Sequence, residues 1–300
     1  MKEILEHLYI SLRCIVKPKD NQGINLHYKN RHLRNKIIEY YKNNPTNDES
    51  INNALYYLKE YGFSTPYPYK YRELYNCKDF KINVEDKQSD NMFYLYPDKK
   101  RLYLRHRPIH RTQRLLQSLF CEQDKDSSHR YLNDFLQVEN GDVMVDVGCA
   151  EAFLSLQNIE KLKHLYLFEC DEEWIEALKK TFKPWEEKVT IVNKYVSEKD
   201  SDNEIRLDTY FKDIKEKPTF IKMDIEGAET KALNGLGNLW ETDNLKLAVC
   251  TYHLHDDYNK VTSILKDKQF KTQKSDNYIL ASVDEMAPPY FRVGLVRAKK

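Results

Sequence analysis

Three apolar stretches of this chain each run into carboxylates: Val143-Met-Val-Asp-Val-Gly-Cys-Ala150, Leu165-Tyr-Leu-Phe-Glu169 and Phe220-Ile-Lys-Met-Asp-Ile-Glu-Gly-Ala-Glu229. In open α/β sheets ligands bind outside the carboxyl ends of the strands, so acids at three strand tips mark one candidate crevice. Glu169 follows Gly148 by 21 positions, close to the roughly 20-residue interval at which a second-strand acid meets a ribose. The same carboxylate would also suit the solvated start of a helix.

Glycine spacing discriminates between nucleoside ligands. A dinucleotide fingerprint needs a second glycine two residues after the first, so that the backbone can approach a pyrophosphate. Here that place is taken by Ala150 in Gly148-Cys-Ala-Glu-Ala-Phe153, and no phosphate-loop lysine motif occurs. A pyrophosphate ligand is disfavoured, and a nicotinamide oxidoreductase with it. S-adenosylmethionine carries the same ribose without a phosphate, and one sharp turn at Gly148 suffices for it.

The segment from about residue 141 to residue 252 resembles the FkbM family of S-adenosylmethionine-dependent methyltransferases. The family pattern reads D-V-G-A-N-x-G, then F-E, then K-x-D-I-E-G-A-E. This chain has Asp146-Val-Gly-Cys-Ala-Glu-Ala152, Phe168-Glu169 and Lys222-Met-Asp-Ile-Glu-Gly-Ala-Glu229, and Cys250-Thr-Tyr-His253 is similar to the later Y-H element. The third motif is the specific one; D-x-G alone is common. Ala150 and Ala152 depart from the usual Asn and Gly. The resemblance implies a Rossmann-like class I methyltransferase fold, a mostly parallel sheet with a late antiparallel strand, and transfer to an oxygen acceptor.

The cofactor-contacting residues expected are Asp146, Gly148, Cys149, Ala150, Glu151 and Phe153 of the first motif, Glu169 and Asn193 at the next strand ends, and Asp224. Methyl transfer is an in-line displacement that depends mostly on alignment, but an aliphatic hydroxyl acceptor needs a base or a metal. His253, after the fifth strand, is the first candidate base, with Asp224 as second catalytic candidate. His253 would equally serve as a loop-bonding histidine, and Asp224 as a cap for a helix starting near Ala228. Glu226 and His253 are expected near the acceptor. Asp224, Glu226 and Glu229 permit a divalent ion without requiring one, Glu229 also suiting a first helical turn; no metal is assigned.

Arg101, Arg105, Arg107, His110, Arg111 and Arg114 form the strongest cationic cluster. Arg105 and Arg107 are candidates to recognise an anionic acceptor, against the plainer reading of a solvated face. Glu122-Gln-Asp124 and Ser127-Ser-His-Arg-Tyr131 would cover the cofactor or grip its carboxylate through Arg130, or begin a capped helix at Ser127 or Ser128. Ala287-Pro-Pro-Tyr290 lacks the leading Asp or Asn of an amino-methylating motif and stands too late in the chain, so it reads as a rigid turn.

These residues need a scaffold. Strands are expected at 143–147, 165–168, 189–193, 219–223 and 245–252, alternating with helices such as 172–182 and 256–265, which is the pattern of a parallel sheet covered on both faces. Residues 278–283 and 291–297 would close it as a late hairpin. Residues 141–300 then form the methyltransferase domain, and 91–140 a connecting segment with a hairpin of 92–96 and 101–105. Residues 1–90 form a small, mainly helical accessory domain. Its helices are expected around Ile4, Leu5 and Leu8, over 36–41, and around Ile51 to Leu58, the last capped by Asp48 and stopped by Gly62.

Composition narrows the partners. Lys and Arg total 48 against 47 Asp and Glu, a net charge of +1, so no global field draws the chain to nucleic acid or acidic membranes. No apolar run reaches membrane-span length, and Glu3 and Glu6 interrupt the start where a signal peptide would be apolar, so a cytoplasmic location is expected. Six scattered cysteines show no zinc or disulfide spacing, and Cys149 reads as packing. The leading expectation is an S-adenosylmethionine-dependent O-methyltransferase acting on a sugar, glycan or small natural product, with a homo-oligomer allowed and the oligomeric state left open. An N-methyltransferase on an amino sugar or nucleic acid, and a non-catalytic cofactor-binding module, are the alternatives.

Overall fold

The computed structural model describes residues 21–62, 66–76, 80–84, 92–105, 107–281 and 284–300, with backbone alone for 21–28. Helices α1 (Asn21–Asn43) and α2 (Glu49–Tyr61) lead into strands β1 (Asn83–Val84), β2 (Phe93–Leu95) and β3 (Leu102–Leu104) and helix α3 (Ile109–Glu122). The sheet region then begins with β4 (Val143–Val147), α4 (Phe153–Asn158), β5 (His164–Phe168), α5 (Glu172–Thr181) and β6 (Val189–Val192). A short pair, β7 (Tyr195–Val196) and β8 (Glu204–Ile205), precedes α6 (Leu207–Tyr210), β9 (Phe220–Met223) and α7 (Glu229–Asn234). The chain closes with β10 (Lys246–Cys250), α8 (Asp257–Asp267), β11 (Lys271–Lys274) and β12 (Leu295–Lys299).

Seven strands make one sheet in the order β11-β12-β10-β9-β4-β5-β6. The five from β10 to β6 are parallel, while β12 is antiparallel to both neighbours. This is the Rossmann-like class I methyltransferase arrangement. The central strands are apolar on both faces because helices cover both, and alternate residues divide between two cores. Met144, Leu165, Leu167 and Phe220 pack on one side, Val145, Phe168, Ile221 and Val249 on the other. The order reverses between β4 and β9, so the crevice at their carboxyl ends is the topological switch point.

The expected strands and helices of the sheet region recur within about two residues of the sequence reading, and β2 pairs β3 as the anticipated hairpin. The late hairpin is different. β12 pairs with the polar, exposed edge strand β11 and not with residues 278–281; residues 282 and 283 of the expected strand lie outside the described residues. Ile279 makes only an isolated bridge to Arg292, because its neighbours turn to the N-terminal helices. The Leu280 N–H donates to the Pro66 carbonyl at 3.0 Å, and the Tyr278 hydroxyl donates to Asp48 at 2.6 Å. Ser127 and Ser128 start no helix; they lie in a turn.

Asp48 caps α2 by accepting from the Ser50 and Ile51 N–H groups, and Gly62 ends it at φ 82°. Ile37, Ala54, Leu58, Tyr67 and Tyr69 then share a core with Ile279, Tyr290 and Phe291. The Tyr41 hydroxyl donates to the Pro289 carbonyl at 2.5 Å, so the 287–290 turn is a docking point for α1. The helix expected around Ile4 to Leu8 lies outside the described residues. Among the described residues, no helix is long and apolar enough to cross a membrane.

Candidate active site

The glycine turn after β4 is held by a buried ion pair. Asp146 and Lys222 are partners in the β4–β9 register, with the ammonium 3.0 Å from Asp146 Oδ1. Lys222 also donates to the Gly148 carbonyl at 2.8 Å, and Ser155 donates to Asp146 Oδ2 at 2.6 Å. Two carboxylates beside Lys222, Asp146 then Asp224, outweigh the burial that disfavours its charge and keep it ionised. Asp146 therefore fixes the loop from below. A Cβ on Gly148, at φ 69°, would overlap the Asp224 carbonyl oxygen, so only glycine lets the two loops meet. Ala150 and Ala152 also have positive φ, 46° and 56°, a conformation that Gly and Asn adopt more readily.

Glu169 closes the turn from the side. Its carboxylate accepts from the Ala150 N–H at 2.9 Å and from the Cys170 and Asp171 N–H groups at 2.8 and 2.9 Å. One acid thus ties the glycine turn to the start of α5.

Asp224 is the centre of a second cluster. Its Oδ2 accepts from the Tyr131 hydroxyl at 2.8 Å and lies 3.3 Å from His129 Nε2. Its Oδ1 lies 3.4 Å from His253 Nε2, while His253 Nδ1 lies 2.9 Å from Glu229 Oε1. Burial alone would raise the Asp224 carboxyl, but the His129 hydrogen bond and nearby cationic groups hold it well below the usual carboxylate range. Burial opposes charge on both imidazoles, yet the carboxylates prevail and both are raised: His129 by Asp224, His253 by Glu229 and Asp224. Buried arginines place these loops. Arg297 on β12 donates to the Tyr131 and Arg130 carbonyls, and Arg292 to those of Tyr252 and His253.

Two cavities flank Gly148. One, of about 210 Å³, is lined by Phe168, Glu169, Cys170, Lys194, Tyr195 and Ile225, among others. The other, of about 260 Å³, takes in Asp146, Cys149, Ala150, Glu151, Phe153, Asp224 and Glu226, with His129, Tyr131 and Tyr252 opposite and Glu122 of α3 at its wall. Lys222 neutralises Asp146 there, leaving an excess of carboxylate that favours a cationic ligand and repels phosphate. Burial, then the Glu122 charge, pushes the Glu151 carboxyl up to about 7.

Most of the anticipated cofactor set converges here, with exceptions. Asn193 is exposed and lines neither cavity, its place being taken by Lys194 and Tyr195. Cys149 lines the larger cavity, but burial pushes its thiol well up, as it does that of Cys250. His253 is only 1% exposed and stands behind Asp224, not on the cavity wall. Arg105 pairs with Asp171 and lies over the Trp174 ring, and neither Arg105 nor Arg107 lines either cavity. Asp224 caps no helix; the N-terminal position of α7 is Ala228, while Glu229 accepts from the Ile225 N–H at 2.9 Å. Nothing in the sequence around His129 and Tyr131 marks them as chemical groups. They sit in the polar run anticipated to cover the cofactor, although Arg130 was the residue it pointed to.

Residues 185–272 match the family model described as the methyltransferase FkbM domain, the stretch that contains both the Lys222–Glu229 motif and His253. No curated protein matches the chain. Among solved structures it is similar to a methyltransferase FkbM from Methylobacillus flagellatus, at 20% identity and TM-score 0.46, over 63% of this chain and 53% of that one. This chain thus spans about half the length of that relative. It is also similar to a precorrin-6y C5,15-methyltransferase from Geobacter metallireducens, at 14% identity and TM-score 0.39, covering 55% of this chain and 84% of that one. A third structure, a Streptococcus mutans protein in complex with SAH, shares 14% identity at TM-score 0.37, covering 65% of this chain and 99% of the other.

Proposed function

We propose that this protein is an S-adenosylmethionine-dependent methyltransferase whose acceptor atom is a hydroxyl oxygen of a sugar, glycan or small natural product. The observation that carries the reading is the carboxylate-rich cavity at the switch point, between a glycine turn that excludes any larger residue and the Asp224 cluster. A ligand bearing both a sulfonium and an ammonium matches that charge, whereas a nicotinamide dinucleotide brings phosphates into it.

In this reading the adenosine lies toward the Glu169, Cys170 and Tyr195 cavity, with the Glu169 carboxylate at the ribose hydroxyls. The methionine end lies toward Glu151 and the Gly148 turn. The chain's part in transfer is alignment and proton removal. We assign the proton to His129: its Nε2 faces Asp224, and its Nδ1 makes no hydrogen bond among the described residues. Asp224 fixes the imidazole and supports the cation formed, and His253 positions Asp224 from behind. Glu226, exposed at the rim, is assigned to the acceptor. Residues 1–90 are read as an accessory unit.

The test is calorimetric titration with S-adenosylmethionine, followed by a hydroxyl and amine acceptor panel with isotopically labelled methyl donor. Saturable uptake and a methyl ether product are expected. A labelled amine would move the assignment to nitrogen, and the absence of cofactor uptake by folded protein overturns it.

A further inference from the structure

We propose that His253, Asp224 and Glu226 bind a first-row divalent metal ion, with Glu229 orienting His253 from behind. His253 Nε2 lies 3.4 Å from Asp224 Oδ1 and 3.6 Å from Glu226 Oε2. With metal–ligand bonds of about 2.1 Å, two ligands at a tetrahedral centre stand roughly 3.4 Å apart. Both separations from Nε2 fit donors that share an ion once the exposed Glu226 side chain turns inward; as the side chains stand, Asp224, Glu229 and His253 are the neighbours whose donor atoms lie within 4.8 Å of one another.

Three further observations point to the same place. First, His253 is 1% exposed, and its Nε2 has no partner of hydrogen-bonding geometry among the described residues; a buried polar atom in that state needs a ligand. Second, Glu229, fully buried, has its Oε1 2.9 Å from His253 Nδ1. That is the carboxylate–histidine relation which directs the opposite nitrogen at a metal. Third, Tyr131 and His129 both converge on Asp224 Oδ2, which leaves Oδ1 toward His253. Glu226 completes the set from a residue at φ 55°, and its mostly exposed side chain can turn toward the ion.

One imidazole and two carboxylates suit manganese, iron(II) or zinc better than calcium or magnesium, which take oxygen donors. Asp224 and Glu226 also line the larger cavity, so a bound ion would border the space assigned to the acceptor. The competing occupant of the same geometry is a proton, with a cationic His253 held between carboxylates and no room for a metal.

The experiment uses the full chain after chelation and dialysis. It is titrated with Mn²⁺ followed by electron paramagnetic resonance, and with Zn²⁺ by calorimetry; S-adenosylmethionine affinity is measured in parallel. One saturable ion per chain is expected. His253→Ala should weaken it by more than about 100-fold and Glu229→Gln by about 10- to 100-fold. Glu226→Gln, at an exposed position where folding is not at stake, should weaken it by about tenfold or more. No saturable uptake of either ion below about 1 mM, or wild-type affinity in Glu226→Gln, overturns the proposal. Because the readout is ion binding, its failure is separable from a failure of the methyl-transfer reading, which would show as lost cofactor uptake.

Discussion

Asp146 and Lys222 face each other across adjacent parallel strands, and the lysine that neutralises the acid also holds the carbonyl of Gly148. One buried cation therefore serves two loops. Lys222→Met, close in length but uncharged, should cost about 3–5 kcal/mol because it leaves a buried carboxylate unpaired. Adding Asp146→Asn should recover part of that loss. Urea denaturation of the two single variants and the double variant gives the coupling, and strictly additive losses would show that the pair is not a unit.

Ala150 and Ala152 both occupy the left-handed region, but they differ in what glycine would remove. An L-residue there costs roughly 1–2 kcal/mol. Ala150 is half-buried, so Ala150→Gly should stabilise the fold by about 1 kcal/mol. Ala152 is buried, and loss of its methyl gives back about 0.8 kcal/mol, leaving Ala152→Gly near neutral. Thermal denaturation of both variants should rank them in that order.

Glu151 ionises near neutral pH in a cavity assigned to a cationic ligand. The sign follows directly: below about 7 the carboxyl is neutral and binds a cation weakly; above it the carboxylate attracts one. S-adenosylmethionine affinity should rise by about tenfold from pH 6 to pH 8, as the ionised fraction grows. In Glu151→Gln that dependence should flatten. Stability runs the other way. Because the folded carboxyl is raised above its ordinary value, its charge is a burden that is absent below the unfolded value and complete above about 7. Glu151→Gln should therefore gain stability over wild type as pH rises through that window, as chemical denaturation at several pH values would register.

His129→Gln keeps a polar side chain beside Asp224 but removes the basic nitrogen. Turnover should drop by about 10²–10⁴-fold with cofactor affinity little changed. In wild type the rising limb of the pH–rate profile should lie above the ordinary histidine range, since Asp224 raises this imidazole. Wild-type turnover in the variant would remove His129 from the reaction.

The sheet strands were legible because both faces are covered: Val143 to Val147 is buried at every position, so the sequence reads as an uninterrupted apolar run. Edge strand β11, Lys-Thr-Gln-Lys, has a partner on one side only and faces water, so it carries no apolar pattern to detect. Residues 278–281 do carry one, but the Tyr278 N–H donates to the Tyr69 hydroxyl, and Ile279 and Leu280 pack with the N-terminal helices and not on the sheet. Helix α3 was obscured by its arginines, although Thr112, Leu116 and Leu119 fall at helical spacing on its buried face. At the site, Glu169 and Asp224 were marked by their motifs. His129 and Tyr131 lie in a segment without regular structure, where no period shows which side chains turn inward; long-range contacts, among them the grip of Arg297 on the Arg130 and Tyr131 carbonyls, aim them.

Cys149 lines the larger cavity and Cys250 lies 3.7 Å from His129 Nε2, both sealed from solvent and both with strongly suppressed thiolate formation, whereas Cys170 is partly open. An alkylating reagent therefore reaches the sealed pair only when the loops around Gly148 and His129 separate, which makes their modification rate a built-in clock for breathing of the crevice. Occupancy by an adenosyl compound should slow that clock at Cys149 first, and mass spectrometry can read it without any acceptor being known.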